Sequence, residues 1–102
     1  MINPQMLKKL QKMQEDLKKV QAEINASTFY GQAGGSVVRV SVKGTKEVIS
    51  IDIKNEELDM NDTKMVAELI MAALNDAFHK VDKEIEESVG SVSRGINMAG
   101  MI

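Results

Sequence analysis

Apolar side chains near the start of the chain fall at Met6, Leu10, Met13, Leu17, Val20 and Ile24, so the spacings run 4, 3, 4, 3, 4. That is the a/d alternation of a heptad, sustained for about three repeats. Leu10, Leu17 and Ile24 hold one seam position, and Met6, Met13 and Val20 hold the other. No glycine interrupts the run, and Gln, Lys, Glu, Leu and Met all favour helix. Asn3 is a natural N-cap, and Pro4 then occupies the first helical position, where its missing N–H is no loss. The pattern predicts a helix over residues 4–27. So narrow an apolar stripe calls for one partner helix. The chain's own second helix and a second copy of the chain satisfy it equally well.

The period then changes from 3.5 to 2. Thr28-Phe29-Tyr30 favours a short strand, taken as residues 28–31, and Gly31-Gln32-Ala33-Gly34-Gly35 reads as a turn. The glycine pair matches neither GxxxxGK[ST] nor GxGxxG, so it suits a tight hairpin with positive φ better than a phosphate loop. Val38, Val40 and Val42 alternate with Arg39, Ser41 and Lys43, which predicts a strand over residues 36–43 with one buried and one wet face. Lys43-Gly44-Thr45-Lys46 is the next turn. Ile49, Ile51 and Ile53 alternate with Val48, Ser50 and Asp52, predicting a third strand over residues 47–54 with the isoleucines inward.

After an acidic connector, Asp62 can cap a second helix over residues 63–89. Its apolar positions, Val66, Leu69, Ile70, Ala73, Leu74, Ala77, Phe78, Val81, Ile85 and Val89, make a broad stripe suited to lying on a sheet. Asn75 and Asp76 interrupt the most apolar run. They suit a hydrogen bond to a strand end or to a partner, or simple exposure. Gly90 then ends the helix, leaving residues 91–102 as a flexible tail. The fold class is α+β: a long helix, a three-stranded antiparallel sheet and a second long helix (α-β-β-β-α), dimerising through sheet and helices.

Composition removes several functions. A chain of 102 residues suits one domain of modest core, which a second copy would enlarge. It has no cysteine, which excludes disulfides and thiolate chemistry. With 3% aromatic residues, a multi-base stacking platform for single strands is not expected. Charges recur too often for a membrane span or signal peptide, so a cytoplasmic protein is the default. His79, the one histidine, has no nucleophile or ligand set at a suitable spacing. No catalytic constellation, metal site or cofactor fingerprint is present, which argues against an enzyme or a small-molecule substrate.

Net charge is only −2, but it is segregated. Residues 1–46 carry eight basic and three acidic groups, giving +5, whereas residues 47–102 carry five basic and twelve acidic groups, giving −7. A polyanion should therefore meet the first half. Lys8, Lys12, Lys18 and Lys19 take outward heptad positions, and Lys9 flanks the seam. Arg39, Lys43 and Lys46 lie on the polar side of the hairpin or at its turn. Each reads separately as ordinary surface charge. Together they form the candidate DNA-binding set, since a phosphate ladder needs cations on flexible stems along a rigid rod.

The ordered set of local signatures resembles the YbaB/EbfC nucleoid-associated protein family. The residues that carry it are Met6-Leu7-Lys8-Lys9-Leu10-Gln11-Lys12-Met13-Gln14, the strand from Gly34-Gly35 to Val42, Gly44, Ile49-Ser50-Ile51-Asp52-Ile53, and Leu69-Ile70-Met71-Ala72-Ala73-Leu74-Asn75-Asp76-Ala77 with Lys80-Val81. The resemblance implies a bacterial homodimer, tweezer-like in shape. It would bind duplex DNA on the nucleoid, alter its conformation and have no enzymatic activity. It also implies DNA contacts through basic residues of the helical arms, here Lys8, Lys9, Lys12, Lys18 and Lys19. The rival reading is a coiled-coil-type protein-interaction module, in which the heptad helix and Met-containing tail grip a protein and the lysines only solubilise the arm.

Overall fold

The computed structural model describes the backbone of residues 3–100 and the side chains of residues 3–93. The order is α1 (Pro4–Ala26), β1 (Thr28–Ala33), β2 (Val38–Lys43), β3 (Val48–Ile53), a 3-10 turn (Asn55–Glu57) and α2 (Thr63–Gly100). The strands form one antiparallel sheet in the order β1-β2-β3. At the start of α1 the Asn3 side chain accepts a 2.7 Å hydrogen bond from the Met6 N–H. The helix stops at Ala26 because Ser27 turns extended and its hydroxyl donates to the Glu23 carbonyl.

The core is a valine stripe against a small-residue stripe. Val38, Val40 and Val42 project from one face of β2 and are essentially buried. Ala73, Ala77 and Val81, one helical turn apart on α2, pack on them. The alanines bring the helix axis close, and Gly31 on β1 brings it closer. A Cβ at Gly31 would overlap the Ala73 carbonyl oxygen and stand 2.6 Å from the Ala77 nitrogen. Gly31 therefore serves close packing within a strand, not a turn. This corrects the expected turn over residues 31–35: β1 runs on to Ala33, and Gly34, Gly35 and Ser36 make the reversal with φ of 62°, 66° and 79°. Left-handed Ser36 also delays β2 to Val38.

Gly44 plays the matching part for α1. A Cβ there would overlap the Ile24 carbonyl, and Ile24 is the buried residue of α1. From this anchor α1 runs antiparallel to the later part of α2, with Val20 and Ile24 beside Glu84 and Ser88. The later part of the heptad seam is thus used within the chain, while Met6 and Leu10 at its start stay exposed. The helix pair projects beyond the sheet, giving a molecule 66 × 21 × 18 Å.

The two sheet edges differ. At β1, Asp76 accepts from the Gln32 N–H at 3.1 Å and Lys80 donates to the Tyr30 carbonyl at 2.8 Å. One i,i+4 pair on α2 thus supplies an acceptor and a donor where a neighbouring strand would. That settles Asp76 as bound to a strand edge, while Asn75 is exposed. At β3 nothing comparable is present among the described residues. Helix α2 lies across β1 and β2, leaving Val48, Ile49 and Ile51 at 41, 50 and 42% exposure. Only Ile53 of the expected inward isoleucines packs on the core. Ser41 pairs with Ser50 but Val42 with Val48, so Ile49 is an unpaired extra residue that breaks the alternation.

Helix α2 does not end at Gly90. Among the described residues the positive-φ glycines are Gly34 and Gly35, so Gly90 lacks the left-handed geometry of a helix terminator. A glycine inside a helix weakens it by about 1 kcal/mol against alanine, which helix packing overcomes when no proline follows. Residues 91–100 are therefore helix rather than loose tail, and Met101 and Ile102 lie outside the described residues.

Two substitutions check this packing. Gly31→Ala should lower stability by about 1–3 kcal/mol through overpacking, a drop in thermal midpoint of roughly 4–8 °C for each kcal/mol. Gly90→Ala should raise the midpoint, because a helical glycine is replaced by the best helix former. A fall on Gly90→Ala would mean a left-handed terminator at that position.

Candidate nucleic-acid interface

The α1 lysines are arranged by helical geometry. At about 100° per residue, Lys8, Lys12 and Lys19 fall within an arc of roughly 40°, on the side opposite the apolar seam. At 1.5 Å rise per residue the row spans about 17 Å. Lys9 and Lys18 flank it on either side. All five are exposed. Glu15 falls within the same row, and Asp16 stands 3.6 Å from Lys12 with 76 and 44% of the two side chains exposed. Such an exposed pair is worth well under 1 kcal/mol and yields readily to a stronger anion. Lys8, Lys9, Lys18 and Lys19 make no ion pair among the described residues. The first turn of α1 contains no acid to offset Lys8 and Lys9 in the turn that follows.

The three cations of the sheet are not part of this row. Arg39 stands on the exposed face of β2, opposite Gln32 on one side and Asp52 on the other. Lys43 pairs with Glu47 at 3.6 Å. Lys46, at the left-handed turn position with φ 70°, reaches Asp82 of α2 at 2.7 Å. Lys46 thus ties the hairpin to the helix. The partner lies 36 residues away, so no local pattern reveals it. The same holds for Lys80, which sequence reasoning passed over. It sits at the β1 edge beside Asp76 at 3.4 Å and borders a cavity with Tyr30 and Arg39. His79 is exposed on α2, as are Glu84, Glu86 and Glu87. Among the described residues no helix is long and apolar enough to cross a membrane.

This arrangement offers ammonium groups on flexible stems along a rod. Helix α1 carries no arginine, and of the amide side chains that share the Lys18 side of it (Gln11, Gln14, Gln21 and Asn25) the last two are hydrogen-bonded to each other at 2.8 Å. A family model described as the YbaB/EbfC DNA-binding family matches residues 2–96, nearly the whole chain. The chain belongs to the YbaB/EbfC DNA-binding family.

Relatives agree. A nucleoid-associated protein of Alkaliphilus metalliredigens is 42% identical over 96 residues, covering 94% of this chain and 84% of that one. A nucleoid-associated protein of Oceanobacillus iheyensis is 40% identical over 96 residues, covering 94 and 92%. Another, of Ligilactobacillus salivarius, is 41% identical over 91 residues, covering 89 and 88%. The YbaB/EbfC family is thus one of bacterial nucleoid-associated proteins and not an enzyme family. In fold, the chain is similar to an uncharacterized protein of Helicobacter pylori whose crystal structure is known. The TM-score is 0.63 at 22% identity, over 76% of this chain and 90% of that one.

Proposed function

We propose that this YbaB/EbfC-family chain is a homodimer that binds duplex DNA through its α1 arms, with little sequence preference, and alters the conformation of the DNA. Its place would be the nucleoid, in the bacterial cytoplasm. The observation that carries this reading is the cation row of Lys8, Lys12 and Lys19, flanked by Lys9 and Lys18, on the side away from a seam that is buried at Ile24 and half-covered at Met13, Leu17 and Val20. Anchored at buried Ile24, the helix presents all five lysines to solvent. Lysines neutralise phosphates without reading bases, so affinity rises with the number of ammonium groups engaged and falls with salt.

Self-association is supported by the unequal sheet edges. The β1 edge is closed by Asp76 and Lys80, whereas β3 keeps free backbone groups beside exposed Val48, Ile49 and Ile51. An open apolar edge strand pairs readily with another chain. A second copy would also double the arms available to one duplex. A rival protein-interaction role draws on Met6, Leu7 and Leu10, which are 52, 49 and 38% exposed at the start of α1.

If six to ten lysines of a dimer contact phosphates, affinity for a labelled duplex should fall roughly a thousandfold or more between about 50 and 200 mM salt. The triple change Lys8→Glu, Lys12→Glu, Lys19→Glu should abolish binding at low salt with helix content intact, while Lys43→Gln with Lys46→Gln changes it little. Unaltered binding by the triple variant would reject the arm as the DNA contact. Mass measured in solution should be twice that of one chain. It should drop toward one chain on Ile51→Lys, which puts a charge on the open edge strand. A wild-type protein that stays a single chain at micromolar concentration contradicts the dimer.

A further inference from the structure

We propose that the sheet face turned away from α2 carries a second site, a slot for one unstacked nucleotide. A cavity of about 250 Å³ is lined by Tyr30, Gly31, Gln32, Arg39, Val40 and Lys80. In register, Gly31 stands opposite Val40 and Gln32 opposite Arg39. Gly31 faces α2, where a Cβ would strike Ala73 and Ala77. Tyr30 and Gln32, on either side of it in the strand, therefore both project from the opposite face and bound the slot there.

The lining chemistry suits a nucleotide. Tyr30 is 65% exposed, the most exposed large apolar side chain among those described. Left wet beside Arg39, its ring offers one stacking surface. The guanidinium of Arg39, free of any ion pair among the described residues, offers a second flat, cationic surface. Lys80 stands at the rim, its ammonium held 2.8 Å from the Tyr30 carbonyl and 3.4 Å from Asp76, within reach of the phosphate of a nucleotide whose base stacks at Tyr30. Charge balance narrows the ligand. Asp76 lies 3.4 Å from Lys80, and Asp52 is opposite Arg39, so the surroundings are near neutral. They favour a flat ring with a single phosphate over a polyphosphate. The volume lies just below the roughly 300–1,000 Å³ of small-molecule sites, which suits a single base rather than a run of them. That nucleotide is either free or an unpaired residue of a strand; the recognition chemistry is the same. The site is separate from the α1 row and stands without it.

The chain has one tyrosine and no tryptophan, so its fluorescence reports on this slot alone. The full-length protein is titrated at about 200 mM salt, where phosphate contacts of the arm are weakened. One arm of the experiment uses deoxythymidine monophosphate, the other an unpaired eight-residue oligothymidylate. Saturable quenching by the mononucleotide supports the slot with a free nucleotide as ligand; quenching by the oligonucleotide alone supports it with an unpaired strand residue. Arg39→Gln should weaken the quenching titration, and Tyr30→Ala should weaken oligonucleotide binding read by anisotropy, each by roughly fivefold to a hundredfold, the range of one lost base stack. The triple Lys8, Lys12 and Lys19 to Glu variant should keep the quenching, which separates this site from duplex binding by the arm. No quenching by either probe, or quenching indifferent to Arg39→Gln, overturns the proposal.

Discussion

How closely α2 lies on the sheet decides the rest of the structure. Val38, Val40 and Val42 give the sheet a flat apolar strip, and Ala73 and Ala77 give the helix a shallow side. Gly31 removes the last obstacle, because any side chain there would collide with the helix backbone. Once α2 is seated, its far half has nowhere to go but past the sheet. Gly44 then lets Ile24 of α1 close against the hairpin, and the apolar seam of α1 meets that projecting half. Two glycines without unusual φ thus fix the direction of the arm and which side of it faces solvent.

The polar consequences follow from the same seating. With the later part of its seam against α2, α1 turns Lys8, Lys12 and Lys19 to solvent. With α2 centred over β1 and β2, one sheet edge is capped by Asp76 and Lys80 and the other is left bare. Glu84, Glu86 and Glu87 of α2 are exposed, and Glu84 borders Val20 and Glu23 of α1. Charge is segregated along the sequence, +5 over residues 1–46 and −7 over residues 47–102, although the net charge is only −2. Membership of a DNA-binding family gives that asymmetry its meaning, since a nearly neutral protein engages a polyanion only through a separated patch.

Features written in local spacing are legible from the amino acids alone. The heptad of residues 6–24, the Asn3-Pro4 start, the valine alternation of β2 and the left-handed Gly34-Gly35 reversal all rest on neighbours in sequence, and so do the α1 lysines as one row. What escapes depends on contacts distant in sequence. Gly31 reads as a turn residue because its reason, Ala73 and Ala77, lies more than 40 positions away. Asp76 and Lys80 bond to strand backbone 44 and 50 residues off, so their spacing alone cannot choose between edge and surface. Lys46 reads as free because Asp82 belongs to another element. The extra residue at Ile49 defeats a strict period of two. Gly90 reads as a helix end because glycine is the usual terminator, yet α2 runs on through it to Gly100.

The claim that matters most is that the solvent-facing side of α1 is the surface that meets DNA. Backbone amide chemical shifts of isotopically labelled protein, followed while a short duplex is added, test it residue by residue. The shifts should concentrate on residues 8–19 and leave the amides of 84–87 and of β3 nearly still. Perturbations centred on the sheet or on the acidic stretch of α2, with α1 silent, would contradict it.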